Sequence, residues 1–190
     1  VNHIAIFASG TGSNAKKIIE HFQSNPTIKV SLLVSNKAAA PVLDTAKANG
    51  IDQYVIDRFS FYETEEILTV FEKYDIDFVV LAGFLWLIPS YLVQAFSGRM
   101  VNIHPALLPK YGGKGMYGKN VHRAVKAAGD SESGITIHYV NEKYDDGDIV
   151  FQAKCAILST DSAEEIAKKV LELEHRYFAT VIEKILISQI

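Results

Sequence analysis

A single cysteine, Cys155, leaves this chain no internal disulfide to fold around and points to a reducing compartment. Cys155 alternates with Phe151, Ala153 and Ile157, which marks it as a strand packing residue and not a nucleophile. No Lys/Arg block stands out, and a formal net charge of -3 argues against nucleic acid and anionic membranes as partners. No apolar run approaches the roughly 18 residues of a membrane helix. Val1 to Ala8, soon followed by glycine and polar residues, lacks the form of a signal peptide. HExxH and CxxC are both missing, and the acidic turn Tyr144 to Asp148 is too short for a calcium loop, so no metal is expected. Together these absences predict a cytoplasmic protein that handles small molecules, as a monomer or a homodimer.

What is present is a core. With 48% hydrophobic and 22% charged composition, 190 residues suffice for one domain. Ile4 to Ala8 and Phe78 to Ala82 are apolar at every position, as in parallel strands covered on both faces. The first is followed by Ser9-Gly10-Thr11-Gly12-Ser13-Asn14-Ala15 and an amphipathic run through Ile18, Ile19 and Phe22, the opening strand, turn and helix of a Rossmann-like fold. Gly10 and Gly12 let backbone amides approach an anion at the helix start. The same letters fit Gly-x-Gly-x-x-Ala, but an NAD site wants an acid ending the second strand. Val30 to Val34 ends instead in Ser35-Asn36, and Asp44 comes too late, so a phosphate-type anion is expected and NAD is not; a tight turn without a ligand is the alternative.

Pro41 and Gly50 bracket a helix, Tyr54 to Ile56 reads as a strand, and Ser60-x-x-Glu63 predicts a capping box for a helix to about Tyr74. Gly83 ends the Phe78 strand, and Phe84 to Ile88 is an apolar loop that either packs in the core or lines a pocket. Tyr111 to Lys119 holds four glycines in nine residues, as expected of a mobile loop or lid. A helix, Val121 to Ala128, follows. Ile135 to Val140 alternates His138 and Thr136 against apolar residues, which predicts a half-covered strand, paired antiparallel with Ile149 to Leu158 at the sheet edge. Ser162-x-x-Glu165 caps a last helix of about 25 residues whose expected core stripe is Ile166, Val170, Leu173, Tyr177 and Val181.

The chain is organised around Met100 to Pro109. Val101 and Ile103 suit a short strand, in which Asn102 and His104 point to one face. Pro105 lacks an amide hydrogen and disfavours helix at His104, so the strand stops there. An amide and an imidazole are thus side by side at a strand's carboxyl end, where open α/β sheets place ligands.

Four segments, in order and spacing along essentially the whole chain, resemble the phosphoribosylglycinamide formyltransferases, a folate-dependent formyltransferase family. They are Gly12-Ser13-Asn14, Leu81-Ala82-Gly83-Phe84, Asn102-Ile103-His104-Pro105 with Leu107-Leu108-Pro109, and Tyr144-Asp145-Asp146-Gly147. The resemblance implies a single formyltransferase domain over 1–190, a Rossmann-like three-layer α/β fold with a mostly parallel twisted sheet, an antiparallel edge and helices on both faces. It implies formyl transfer from 10-formyltetrahydrofolate to the amine of 5-phosphoribosylglycinamide, with Asn102, His104 and Asp145 as the catalytic trio. Gly12, Ser13, Asn14 and Glu174 would hold the ribonucleotide. Leu85, Trp86, Leu87, Ile88, Asn102, Asn141, Tyr144 and Asp145 would hold the folate, with 141–145 as a loop over its ring. A carboxylate at 145 is expected to favour the protonated form of His104. Three departures accompany the likeness. Arg58 stands one residue from the position, aligned with Phe59, where many members carry Arg; Trp86 stands where a basic residue is common; and Gly112 to Lys119 is longer than the commonest bacterial pattern. The alternatives are a formyltetrahydrofolate hydrolase, another folate-dependent formyltransferase, or a non-catalytic nucleotide-binding module. Hydrolases usually carry an extra N-terminal domain and tRNA formyltransferases an extra C-terminal one, neither of which is expected here.

Overall fold

Alternate residues of the first strand bury into two separate cores, Ile4 and Ile6 into one and Ala5 and Phe7 into the other. Such a strand needs a layer of helices on each side. The computed structural model describes residues 1–188. Its strands are β1 (Asn2–Phe7), β2 (Ile28–Ser35), β3 (Asp52–Val55), β4 (Ile76–Leu81), β5 (Met100–His104), β6 (Glu132–Tyr139) and β7 (Ile149–Ala156). They form one sheet in the order β3-β2-β1-β4-β5-β6-β7. β1 through β5 pair in parallel, and β6 and β7 add antiparallel at the edge. The helices are α1 (Ser13–Phe22), α2 (Val42–Ala48), α3 (Arg58–Tyr62), α4 (Glu66–Lys73), α5 (Ser90–Ala95), α6 (Lys119–Ala128) and α7 (Ala163–Ser188). α1, α2, α6 and α7 cover one face, and α3, α4 and α5 the other. The chain leaves β1 towards β2 on one side and resumes at β4 on the other, which opens a crevice at the strands' carboxyl ends.

Three local expectations change. The predicted helix from Ser60 to Tyr74 is two helices. Asp57 is the cap: its carboxylate accepts from the Ser60 amide at 2.9 Å, and its own amide donates to Ser60 Oγ at 3.3 Å. Ser60 is therefore the reciprocal partner in the box, and the helix it belongs to ends at Tyr62. The expected half-covered strand, β6, is buried on both faces, with Thr136 at 0% and His138 at 2% exposure. Its polar alternation marks side chains that face neighbouring structure rather than water. On α7 Ile166, Val170 and Val181 are buried as expected, but between and beside them Glu174, Phe178 and Ile182 are buried while Leu173 and Tyr177 lie at the flank. The Ser162–Glu165 box that starts α7 forms as expected, with reciprocal bonds of 2.6 and 3.2 Å.

Thr136 pins the segment that follows β5. Its hydroxyl donates to the Ala106 carbonyl at 2.7 Å and accepts from the Leu108 amide at 3.0 Å. Gln152 on β7 adds a donor to the Leu108 carbonyl at 3.0 Å. The Pro105 to Pro109 turn is thereby fixed against the antiparallel edge, and His104 with it.

Candidate active site

The register of the β5–β6 pair sets the first contacts. Asn102 lies opposite His138, and His104 opposite Thr136. Asn102 Nδ2 is 3.1 Å from His138 Nε2. His138 Nδ1 is 2.8 Å from the Tyr139 carbonyl, which can only accept, so Nδ1 carries the proton and Nε2 accepts from Asn102. This bond orients the Asn102 amide.

The β6–β7 turn brings in Asp145, whose backbone takes a left-handed φ of 53°. Its Oδ1 is 3.4 Å from His104 Nδ1, 3.5 Å from Asn102 Nδ2 and 3.7 Å from His138 Nε2. Its Oδ2 accepts from the Gly113 amide at 3.0 Å. Burial pushes the Asp145 carboxyl up, but the positive charge that His138 and His104 can take, together with the Gly113 amide, outweighs it and brings the group below the ordinary carboxylate range. His104 is 3% exposed, and its Nε2–H donates to the Tyr111 carbonyl at 2.7 Å. Burial here outweighs the expected pull of Asp145 towards the charged imidazole. Desolvation lowers the His104 pKa, and Asp145 and the Tyr111 carbonyl recover only part of the loss, so the resting imidazole is neutral.

These groups line a cavity of about 420 Å³ that draws on all three layers. From the α1/α7 side come Asn14 and Glu174, joined by a 2.6 Å bond from Asn14 Nδ2 to Glu174 Oε2. Glu174 is not the solvated helix acid that an isolated Glu usually is: it is 8% exposed, burial raises its pKa, and the Asn14 bond offsets part of that rise. The Asn14 Oδ1 is buried and has no hydrogen-bond partner among the described residues. Gly12 and Ser13 lead into α1 but do not line this cavity. Gly12 has φ 71°, and a Cβ there would overlap the Val42 side chain, so the chain needs glycine at this turn. From the opposite side come Leu85, Trp86, Leu87 and Ile88, with Asn141 and Tyr144 from the β6–β7 turn, all on the cavity wall. Trp86 both packs and lines: its ring lies near Phe61, Tyr62 and Phe84, and the Arg58 guanidinium sits 4.8 Å over it. Phe59 is 70% exposed, so of the two neighbours Arg58 is the one that reaches this wall.

The structure therefore brings together Asn102, His104, Asp145, Asn14, Glu174 and the 85–88 and 141–145 segments. The sequence reading missed His138, the Tyr111 carbonyl and the Gly113 amide. His138 was reachable only with the register in hand, since a slip of one residue would set Ile137 beside Asn102 instead. A carbonyl and an amide leave no trace in side-chain patterns.

A formyl transferase family model matches residues 2–182. The chain is 45% identical over 185 residues to a phosphoribosylglycinamide formyltransferase, chloroplastic, of Arabidopsis thaliana, covering 94% of this chain and 63% of that protein. It thus spans less than two thirds of that plant relative's length. It is 39% identical to the phosphoribosylglycinamide formyltransferase of Haemophilus influenzae, covering 95% of this chain and 85% of that one. The crystal structure of the Bacillus halodurans phosphoribosylglycinamide formyltransferase superimposes with a TM-score of 0.87 at 34% identity, over 97% of this chain and 95% of that one.

Proposed function

This chain belongs to the formyl transferase family, and we propose that it moves the formyl group of 10-formyltetrahydrofolate onto the amine of 5-phosphoribosylglycinamide. The products are formylglycinamide ribonucleotide and tetrahydrofolate, in de novo purine synthesis. In this reading residues 1–190 act as one formyltransferase domain in the cytoplasm, the family match over 2–182 supporting the domain. The observation that carries the proposal is the meeting of His104 Nδ1 and Asn102 Nδ2 on one carboxylate oxygen of Asp145, at 3.4 and 3.5 Å, in a cavity with a polar wall and an aromatic one.

The lining fits both substrates. Glu174 offers two acceptor oxygens for ribose hydroxyls, with Asn14 beside it. Gly12 to Asn14 enter α1, whose first turn carries no acid, and its amino end suits a phosphate. Trp86, Leu85 and Tyr144 offer flat and apolar surface to a pterin, and the 85–88 backbone groups other than the Leu85 amide and the Leu87 carbonyl, which bond Ser9 and Tyr62, would read its edge.

Bound there, the co-substrate supplies a formyl group already activated on nitrogen. Asn102 keeps one amide hydrogen on His138 and turns the other, held to Asp145 only at 3.5 Å, onto the formyl oxygen as negative charge grows there. His104, neutral through burial, takes at Nδ1 the proton that the amine sheds on attack. Asp145 steadies the imidazolium so formed. Nδ1 then returns that proton to the departing nitrogen. One N–C bond forms, one breaks, and a single proton passes from amine to leaving group. The test is an assay with purified protein, 10-formyltetrahydrofolate and the ribonucleotide, following tetrahydrofolate. Saturable turnover that needs both substrates is expected. Formate release without the amine would point to a hydrolase, and no turnover would end the proposal.

A further inference from the structure

Tyr111, Gly112 and Gly113 touch both partners of the His104–Asp145 pair. The Tyr111 carbonyl takes the His104 Nε2–H at 2.7 Å, and two residues on, the Gly113 amide donates to Asp145 Oδ2 at 3.0 Å. Between them, Gly112 packs so closely that a Cβ would lie 2.6 Å from Leu108 Cδ2 and 3.2 Å from Asp145 Cβ. The tripeptide is thus a two-point clamp that sets the imidazole against the carboxylate.

The clamp's conformation is costly. Tyr111 has φ 56°, a left-handed value that a bulky side chain adopts only when its surroundings impose it. One contact that holds Tyr111 there is outside the cavity. The Tyr111 hydroxyl donates to Asp130 Oδ2 at 2.8 Å, on the turn between α6 and β6, and Lys110 Nζ stands 3.4 Å from the same oxygen. That bond lowers the Asp130 pKa and raises that of the Tyr111 hydroxyl, so donor and charged acceptor both persist at neutral pH. Asp130 is absent from the lining of the main cavity.

We infer that Tyr111, anchored through its hydroxyl by Asp130, is a positioning residue for the transfer reaction, holding His104 in register with Asp145. The inference rests on the formyl transfer reading. It predicts that cutting a bond remote from both substrates slows chemistry without weakening binding.

The experiment compares the full chain with Tyr111→Phe, Asp130→Ala, Asp130→Asn and the Tyr111→Phe/Asp130→Ala double variant, with thermal melting beside kinetics. Tyr111→Phe and Asp130→Ala should each lower kcat about tenfold, with KM for both substrates within about twofold. The double variant should be no slower than either single one, because one bond is lost in all three. Asp130→Asn keeps an acceptor and should restore near wild-type kcat. The acid limb of kcat/KM should move to lower pH in the slowed variants, since the Tyr111 carbonyl favours the imidazolium. The other groups facing His104 (Asp145, His138, and His122 from α6) are untouched in all of them.

Unchanged kcat and pH profile with only a lowered Tm would overturn the inference, as would additive losses or equal loss in Asp130→Asn and Asp130→Ala. Should Tyr111→Phe fail to fold, the Asp130 pair, on a surface turn, decides alone. Wild-type protein without transfer activity would instead sink the function on which the inference stands.

Discussion

Asp145→Asn isolates the electrostatic part of the proposed chemistry, because it changes charge with almost no change in shape. In the wild type the carboxylate is 3.4 Å from His104 Nδ1. At that distance and an effective dielectric constant of about 20, the attraction to an imidazolium is roughly 5 kcal/mol before solvent and neighbours reduce it. Close opposite charges move a pKa by about 1–3 units in practice, or roughly 1.4–4 kcal/mol. The asparagine amide would also donate to the Nδ1 lone pair, which holds the ring neutral and occupies its basic nitrogen. If the imidazolium is half formed or more in the transition state, kcat should fall about 100-fold. KM for the ribonucleotide should barely move, since its binding groups, Asn14 and Glu174, are not altered. The acid limb of kcat/KM should shift to lower pH even as the plateau drops, because His104 loses the group that favours its charge. Steady-state rates by tetrahydrofolate appearance across pH, with a melting curve to confirm folding, make the measurement. A kcat within about threefold of wild type, or a loss confined to KM, would refute the role given to Asp145.

Three further outcomes follow from the geometry. Gly12→Ala should cost about 2 kcal/mol of stability through its left-handed φ and its overlap with Val42, and should weaken ribonucleotide binding by calorimetry; Val42→Ala in the same chain should recover part of the stability. Glu174→Gln should raise Tm by roughly 2–4 °C at pH 7 while weakening ribonucleotide binding. The sign follows from its raised pKa: the folded chain holds that proton more tightly than the unfolded one, so the site's contribution is full below pH 4.5 and lost as pH rises through the folded value. Melts near pH 4 should therefore show little difference. Trp86→Ala should raise KM for 10-formyltetrahydrofolate about tenfold with kcat little changed, the size expected for one lost stacking surface; an unchanged KM would leave Trp86 as packing alone.

Much of the architecture was written in local pattern. Fully apolar runs such as Ile4 to Ala8 announce buried parallel strands, because one strand must satisfy two cores. Pro105 ends β5 at His104, and the two-residue period puts Asn102 on the same face, both consequences of backbone geometry within a few residues. Proline and glycine stops of this kind are short-range and survive being read one segment at a time. The capping of α3 shows the limit even there: Asp57 and Ser60 compete for the same role, and only the backbone path shows which one wins.

What the sequence determined by itself was the strands, most of the helices and the identity of the polar pair ending β5, since strand length, proline stops and side-chain period are properties of neighbouring residues. What only the tertiary structure decided was the company that pair keeps and its charge. Asp145 is 41 positions beyond His104, Glu174 further still, and His138 reaches Asn102 through sheet register. The protonation state of His104 depends on how completely the layers exclude water from it, a sum over many distant atoms that no local pattern encodes.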